Sequence, residues 1–262
     1  MSTFAMHVAK TGLNSQQIKM QVIANNLANV NTTGFKADRA NFESLLYQIL
    51  RGAGDNTSEN TSLTSGLSVG TGTRLLNTSK LHTQGSLINT GNSLDISIEG
   101  DGFFQVLLPD GRVAYTRSGA FSRNAEGTVT TASGYALQPE ITIPAEAISI
   151  NISSDGIVSV QVPGAVEAEE VGQITLADFP NRQGLQPNGE SMLLETPASG
   201  AAIVAAPFEE GMGRTVQGSL ESSNVNVVQE LVDMIETQRA YEVSSKTITS
   251  VDEMMRYLAQ NV

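Results

Sequence analysis

The sequence predicts an α+β fold. Amphipathic helices at the two termini flank a central antiparallel β domain, with an extended connector between the first helix and the β domain. Three observations predict it. Apolar residues recur every seven positions at both ends of the 262-residue chain, they alternate every second position in the middle, and they nearly vanish over residues 52–62. Period seven is the seam of packed helices, and period two is the mark of a half-buried strand. The organisation that follows is residues 1–35 as the N-terminal helix, 36–85 as the connector, 86–218 as the β domain and 219–262 as the C-terminal helix.

In the first segment Met6, Leu13, Met20 and Leu27 are spaced by seven, and Ala9, Gln16, Ile23 and Val30 follow each by three. Ser2 or Thr3 suits the N-cap, and Gly34 suits a left-handed stop. Asn25, Asn26, Asn29 and Asn31 crowd the end of this helix, where asparagine is a poor helix former, so a bend into the connector is expected at Asn25, Asn26, Asn29 and Gly34. In residues 52–62 the only apolar side chain is Ala53, which predicts a flexible stretch.

The β domain begins with Leu94, Ile96 and Ile98 alternating with Asp95, Ser97 and Glu99, which places Asp95 and Glu99 on the solvent face. Phe103 to Leu108 is a second strand, turned by Pro109-Asp110-Gly111 into Arg112 to Arg117. Ile148, Ile150 and Ile152, then Ser154-Asp155-Gly156, then Val158, Val160 and Val162 form the clearest hairpin. At the far end Val227, Met234, Tyr241, Ile248, Met255 and Val262 repeat every seven, widened by Leu231, Ile235, Val251 and Leu258. Asn226 followed by Gln229 has the spacing of a capping box.

Composition narrows the function. The net charge is −12 and charged residues are only 16%, which argues against nucleic acid and anionic lipid as partners. Ser, Thr, Asn and Gln total 82, so much of the surface is neutral and polar. Charge is unevenly spread: residues 1–80 carry +3, residues 81–216 carry −11 and residues 217–262 carry −4. The chain has no cysteine, hence no disulfide framework or thiolate chemistry. Met1 to Lys10 has no basic segment followed by an apolar core, so a cleaved secretory signal is not expected.

The residues offer little for catalysis, and no cofactor, metal or small-molecule substrate is expected. His7 and His82 are the only histidines, and neither has a metal-ligand spacing. Gly70-Thr71-Gly72 lacks the lysine and hydroxyl of a phosphate loop and reads as a turn. Asp95, Glu99 and Asp101 read as surface carboxylates, and no G-x-S-x-G element marks a hydrolase serine.

Three stretches together resemble one family. Ile23-Ala-Asn-Asn-Leu-Ala-Asn-Val-Asn-Thr-Thr-Gly-Phe-Lys36 resembles the N-terminal signature of flagellar axial rod and hook proteins. Leu94 to Val106, with Tyr115-Thr-Arg-Ser-Gly-Ala-Phe121, resembles the family's β segment. Gln217-Gly-Ser-Leu-Glu-Ser-Ser-Asn-Val-Asn-Val227, continuing through Gln238-Arg-Ala-Tyr-Glu242, resembles its C-terminal signature. Within the bacterial flagellar basal-body rod family, Leu46-Tyr-Gln48 and Ser65 to Arg74 look most like the distal-rod members.

The resemblance implies a structural subunit of the distal rod, polymerising into a helical tube that transmits torque from motor to hook. It implies self-association, with proximal rod proteins, the hook protein, the P- and L-ring proteins and the type III export apparatus as further partners. It also implies a rod spanning the periplasm, exported without a cleaved signal peptide. The helices would pair as a coiled-coil-like inner domain on polymerisation, with Leu13, Met20, Ile23, Leu27, Val227, Leu231, Met234, Tyr241, Ile248 and Met255 as the assembly interface. A proximal rod subunit of the same family and a secreted β-rich binding module are the alternatives left open.

Overall fold

The longest apolar-periodic segments of the chain form its two long helices, α1 (Ser2–Ala28) and α2 (Val227–Gln260). The computed structural model describes residues 2–52, 56–58, 61–62, 64–164 and 168–260. Its residues group into two compact units. One comprises residues 1–27, 38–79 and 226–262, and the other residues 28–37 and 80–225.

In the helical unit, α1 ends at Ala28, six residues short of the expected stop at Gly34. The cause is local. The Asn26 side chain takes both backbone groups of Asp38, accepting from its N–H at 2.8 Å and donating to its carbonyl at 2.9 Å. The α2 N-terminus is half of the expected capping box. Asn226 Oδ1 accepts from the N–H groups of Val228 and Gln229, while the Gln229 amide turns forward to Asp233. Residues of the expected seam at Val262 and the side chain of Leu258 lie outside the described residues.

The connector is more ordered in its pairing than an extended linker. Asp38–Ser44 pairs with Thr73–Lys80, Tyr47–Arg51 pairs antiparallel with Leu67–Gly70, and Asn56–Ser58 pairs antiparallel with Thr61–Ser62. These nested pairs make a β arm, which includes residues 56–58 and 61–62 of the stretch expected to be flexible. Residues 53–55 and 59–60 lie outside the described residues. Gly70-Thr71-Gly72 is the link between two strands of this arm. At Gly72 (φ +119°) a Cβ would strike the Thr11 hydroxyl of α1, so the close approach needs glycine there.

In the β unit, a nine-stranded sheet is centred on Phe103–Leu107, with Ala136–Gln138 and Val113–Thr116 antiparallel on its flanks. The Ser149–Ile152 and Ile157–Gln161 hairpin pairs Ile150 with Val160 and Ile152 with Val158, and Glu169–Gln173 completes its sheet. Ile96, Ile98, Phe104, Leu137, Ile141, Ile143, Ile174 and Leu176 are fully buried in the largest core cluster. One expectation fails here. Ser97 is buried as well as Ile96 and Ile98, because Arg214–Gln217 covers this strand's edge and the Ser219 hydroxyl meets Ser97 Oγ at 2.6 Å. Asp95 is also buried rather than on the solvent face. It is held by Thr90 Oγ1 at 2.6 Å and Asn92 Nδ2 at 2.9 Å.

Candidate assembly interface

On α2 the period-seven residues Met234, Tyr241, Ile248 and Met255 are half-buried, while Val227 and Leu231 are exposed. On α1 Ile23 is buried, and Leu13, Met20 and Leu27 are half-buried. A polar link joins α1 and α2 where Asn26 Nδ2 donates to Glu230 Oε1 at 3.0 Å, and burial raises the Glu230 carboxyl above its ordinary pKa.

Much apolar surface is left uncovered. Val228, Val232, Ile235, Val243, Met254 and Tyr257 of α2 are exposed, and on the β arm Leu46 is 88% and Ile49 71% exposed. Apolar patches of this extent are characteristic of interaction surfaces rather than of the outside of a monomer.

The expected bend residues divide between the two units. Asn25 and Asn26 sit in the last turn of α1, and Asn25 Nδ2 approaches Asp38 Oδ2 at 3.3 Å. Asn29 instead organises the following turn in the β unit, accepting at its carbonyl from Thr32 N–H and at its side chain from Thr32 Oγ1. Gly34 (φ +67°) donates its N–H to the Glu221 carbonyl at 2.8 Å.

Glu221 is the group that sequence reasoning missed. Its side chain is fully buried, and its Oε1 accepts from Lys36 Nζ at 2.6 Å and from Gly85 N–H at 2.8 Å. Arg117 Nε lies 3.4 Å from Oε2, and Arg117 Nη2 donates to the Gly100 carbonyl at 2.6 Å. Burial pulls both Lys36 and Arg117 below their ordinary pKa values, opposed by the Glu221 charge. Around this knot, Asp101 and Asp178 both pair with Arg182. Burial, reinforced by the Lys36 charge, pushes the neighbouring His82 down to about 4.

Lys36, Arg117 and Glu221 come one each from the three stretches that carry the family resemblance, brought together across as many as 185 residues of sequence. That coincidence was the available signal: a charge in each of three motifs that the sequence already set apart. The arrangement has no open nucleophile or proton-transfer pair. Among the described residues no cluster of His, Asp or Glu could hold a metal ion, and no helix is long and apolar enough to cross a membrane.

Three family models match the chain at these same places. Residues 6–36 match the flagella basal body rod protein model, 97–160 the flagellar hook protein FlgE/F/G D1 domain, and 216–261 the flagellar basal body rod FlgEFG protein C-terminal model. The chain is 51% identical over 256 residues to the flagellar basal-body rod protein FlgG of Buchnera aphidicola subsp. Schizaphis graminum, covering 98% of each chain. It is 43% identical to the same-named protein of Agrobacterium fabrum, covering 98% of this chain and 99% of that one, and 36% identical to that of Bacillus subtilis, covering 95% of each.

The chain belongs to the flagellar basal-body rod protein family. It is a structural subunit of the bacterial flagellar rod, of the distal-rod kind, and not an enzyme. Matches at both ends and in the middle also set aside the secreted binding module.

Proposed function

We propose that this rod subunit polymerises through its terminal helices into a helical tube that spans the periplasm and transmits torque from motor to hook. The observation that carries the reading is the state of the helix seams. Met234, Tyr241, Ile248 and Met255 recur every seven residues and are only half-buried in the single chain, with exposed apolar residues beside them. Covering those faces with helices of other copies removes apolar area from water, worth about 25 cal/mol for each Å². Subunits joined by two different faces build open helical assemblies rather than closed rings.

In this reading α1 and α2 form the coiled-coil-like inner tube, residues 86–218 lie outside it, and residues 36–85 stiffen the shaft through contacts made by the exposed arm. The partners are further copies of the chain, proximal rod proteins below, the hook protein above and the P- and L-ring proteins around the shaft. Delivery is through the type III export apparatus.

Met234→Asp tests the seam. It places a carboxylate in a surface that must become dry on assembly. The expected outcome is loss of rod assembly and motility while near-UV circular dichroism of the β unit stays unchanged. Normal rods built from the variant would overturn the seam assignment.

A further inference from the structure

Four non-glycine residues with positive φ stand out among the described residues: Glu190 (51°), Ser191 (57°), Phe208 (70°) and Glu210 (49°). Such backbone is uncommon outside glycine and is worth tracing to a purpose when it clusters. These four fall at two places in the β unit. One pair forms the rim of a cavity, and the other forms an exposed turn.

The cavity has a volume of about 400 Å³, within the range of ordinary ligand pockets. Its apolar lining includes Phe35, Met192 and Leu193, and its cations are Lys36, Lys80 and Arg117. Within hydrogen-bond distance Arg117 Nη1 has no partner, although the side chain is buried. The lining holds the three cations Lys36, Lys80 and Arg117 and one acid, Glu190, while Glu221 and Asp101 also act on Lys36 and Arg117. Glu190 is itself engaged on the rim, accepting from Ser133 Oγ at 2.6 Å.

The turn has the opposite character. Phe208 is 59% exposed, an aromatic side chain standing in water, and Glu209 and Glu210 follow it. The turn is built rather than loose. Phe208 N–H donates to Gly213 O, Glu209 N–H to Ala206 O and Met212 N–H to Glu209 O, while the Met212 side chain is buried in the core. An aromatic anchor held out by a rigid turn loses little freedom when it docks.

We infer that the Phe208-Glu209-Glu210 turn of one copy docks in the Arg117-lined cavity of the next copy, the ring on the apolar lining and a carboxylate toward the cations. The inference rests on the polymer reading and names a contact within it. A projecting patch that fits a different patch of the same chain makes a head-to-tail contact, which propagates along an assembly. A charge-complementary rim fixes the register of that contact.

The absence of cysteine permits a direct test on the full chain. Glu209→Cys and Ser191→Cys are introduced in separate chains, mixed and mildly oxidised. The expected result is a disulfide-linked mixed dimer at least about tenfold above the self-dimer of either chain alone, and about tenfold less of it when Phe208→Ala is added to the Glu209→Cys chain. A single chain carrying both cysteines is expected to give a ladder of longer oligomers. Mixed yield no better than the separate chains, or unaffected by Phe208→Ala, would overturn the contact while wild-type self-association by sedimentation leaves the polymer reading standing. Wild type that does not self-associate at all sinks both.

Discussion

His82 makes the stability of the chain sensitive to acid. Its ring stacks edge-on against Phe103 at 5.7 Å, and Lys36, Lys80 and Arg182 face it with positive charge. Burial and these charges hold its folded pKa at about 4, against 6.5 for an ordinary histidine. The unfolded chain therefore binds the proton that the native state refuses. The stability this neutral ring contributes is fully present above 6.5 and is lost as pH falls from there toward 4. Allowing for the partial exposure of the ring, the loss is on the order of 2 kcal/mol. Urea unfolding of the full chain across that window should show the decline, and His82→Gln should flatten it. Equal slopes in both chains would assign the acid sensitivity to the carboxylates instead. The burial of His82 beside Lys36 has no local signature, since the two lie 46 positions apart.

The turn between Asn29 and Lys36 is where the element scale decides behaviour. Gly34 has φ +67°, and a Cβ there would sit 2.4 Å from Ser118 N and 2.6 Å from Arg117 C. Both neighbours are backbone, so nothing flexible can move aside. Gly34→Ala therefore adds a left-handed penalty of about 1–2 kcal/mol and a clash on top of it. The midpoint of thermal unfolding should fall by at least about 5 °C, with no recovery from the equally small Gly34→Ser. An unchanged midpoint would mean that this turn relaxes freely. Elements of this size were legible wherever their partners were near in sequence. The Ile150–Val160 and Ile152–Val158 pairs read directly from alternation because one short turn joins them. The β arm did not, because Asp38–Ser44 finds Thr73–Lys80 across a polar stretch whose composition says only that it lacks a core of its own. Asp95 failed for a related reason: period two assigns faces but cannot see that Thr90 and Asn92 fold back to bury one.

At the scale of the whole molecule the two units have different claims on stability. Among the described residues the clusters of fully buried side chains lie in the β unit, whereas Ile23 is the buried apolar side chain of α1 and the large apolar residues of α2 are half-buried or exposed. Helices are marginal in water without tertiary packing, so opening either terminal helix should cost far less than opening the β unit. Hydrogen exchange on the unassembled chain should show fast exchange over residues 1–27 and 226–262 beside a protected 80–225. In assembled rods the two ends should become protected, since that is where neighbouring copies cover the seams. Those two results together would mean that the polymerising surfaces stay incomplete until other copies are present, which would slow assembly away from the growing tip. Strong protection of both ends before assembly would mean that the single chain already packs its helices, and the device restraining premature polymerisation would then lie in the β unit or the arm.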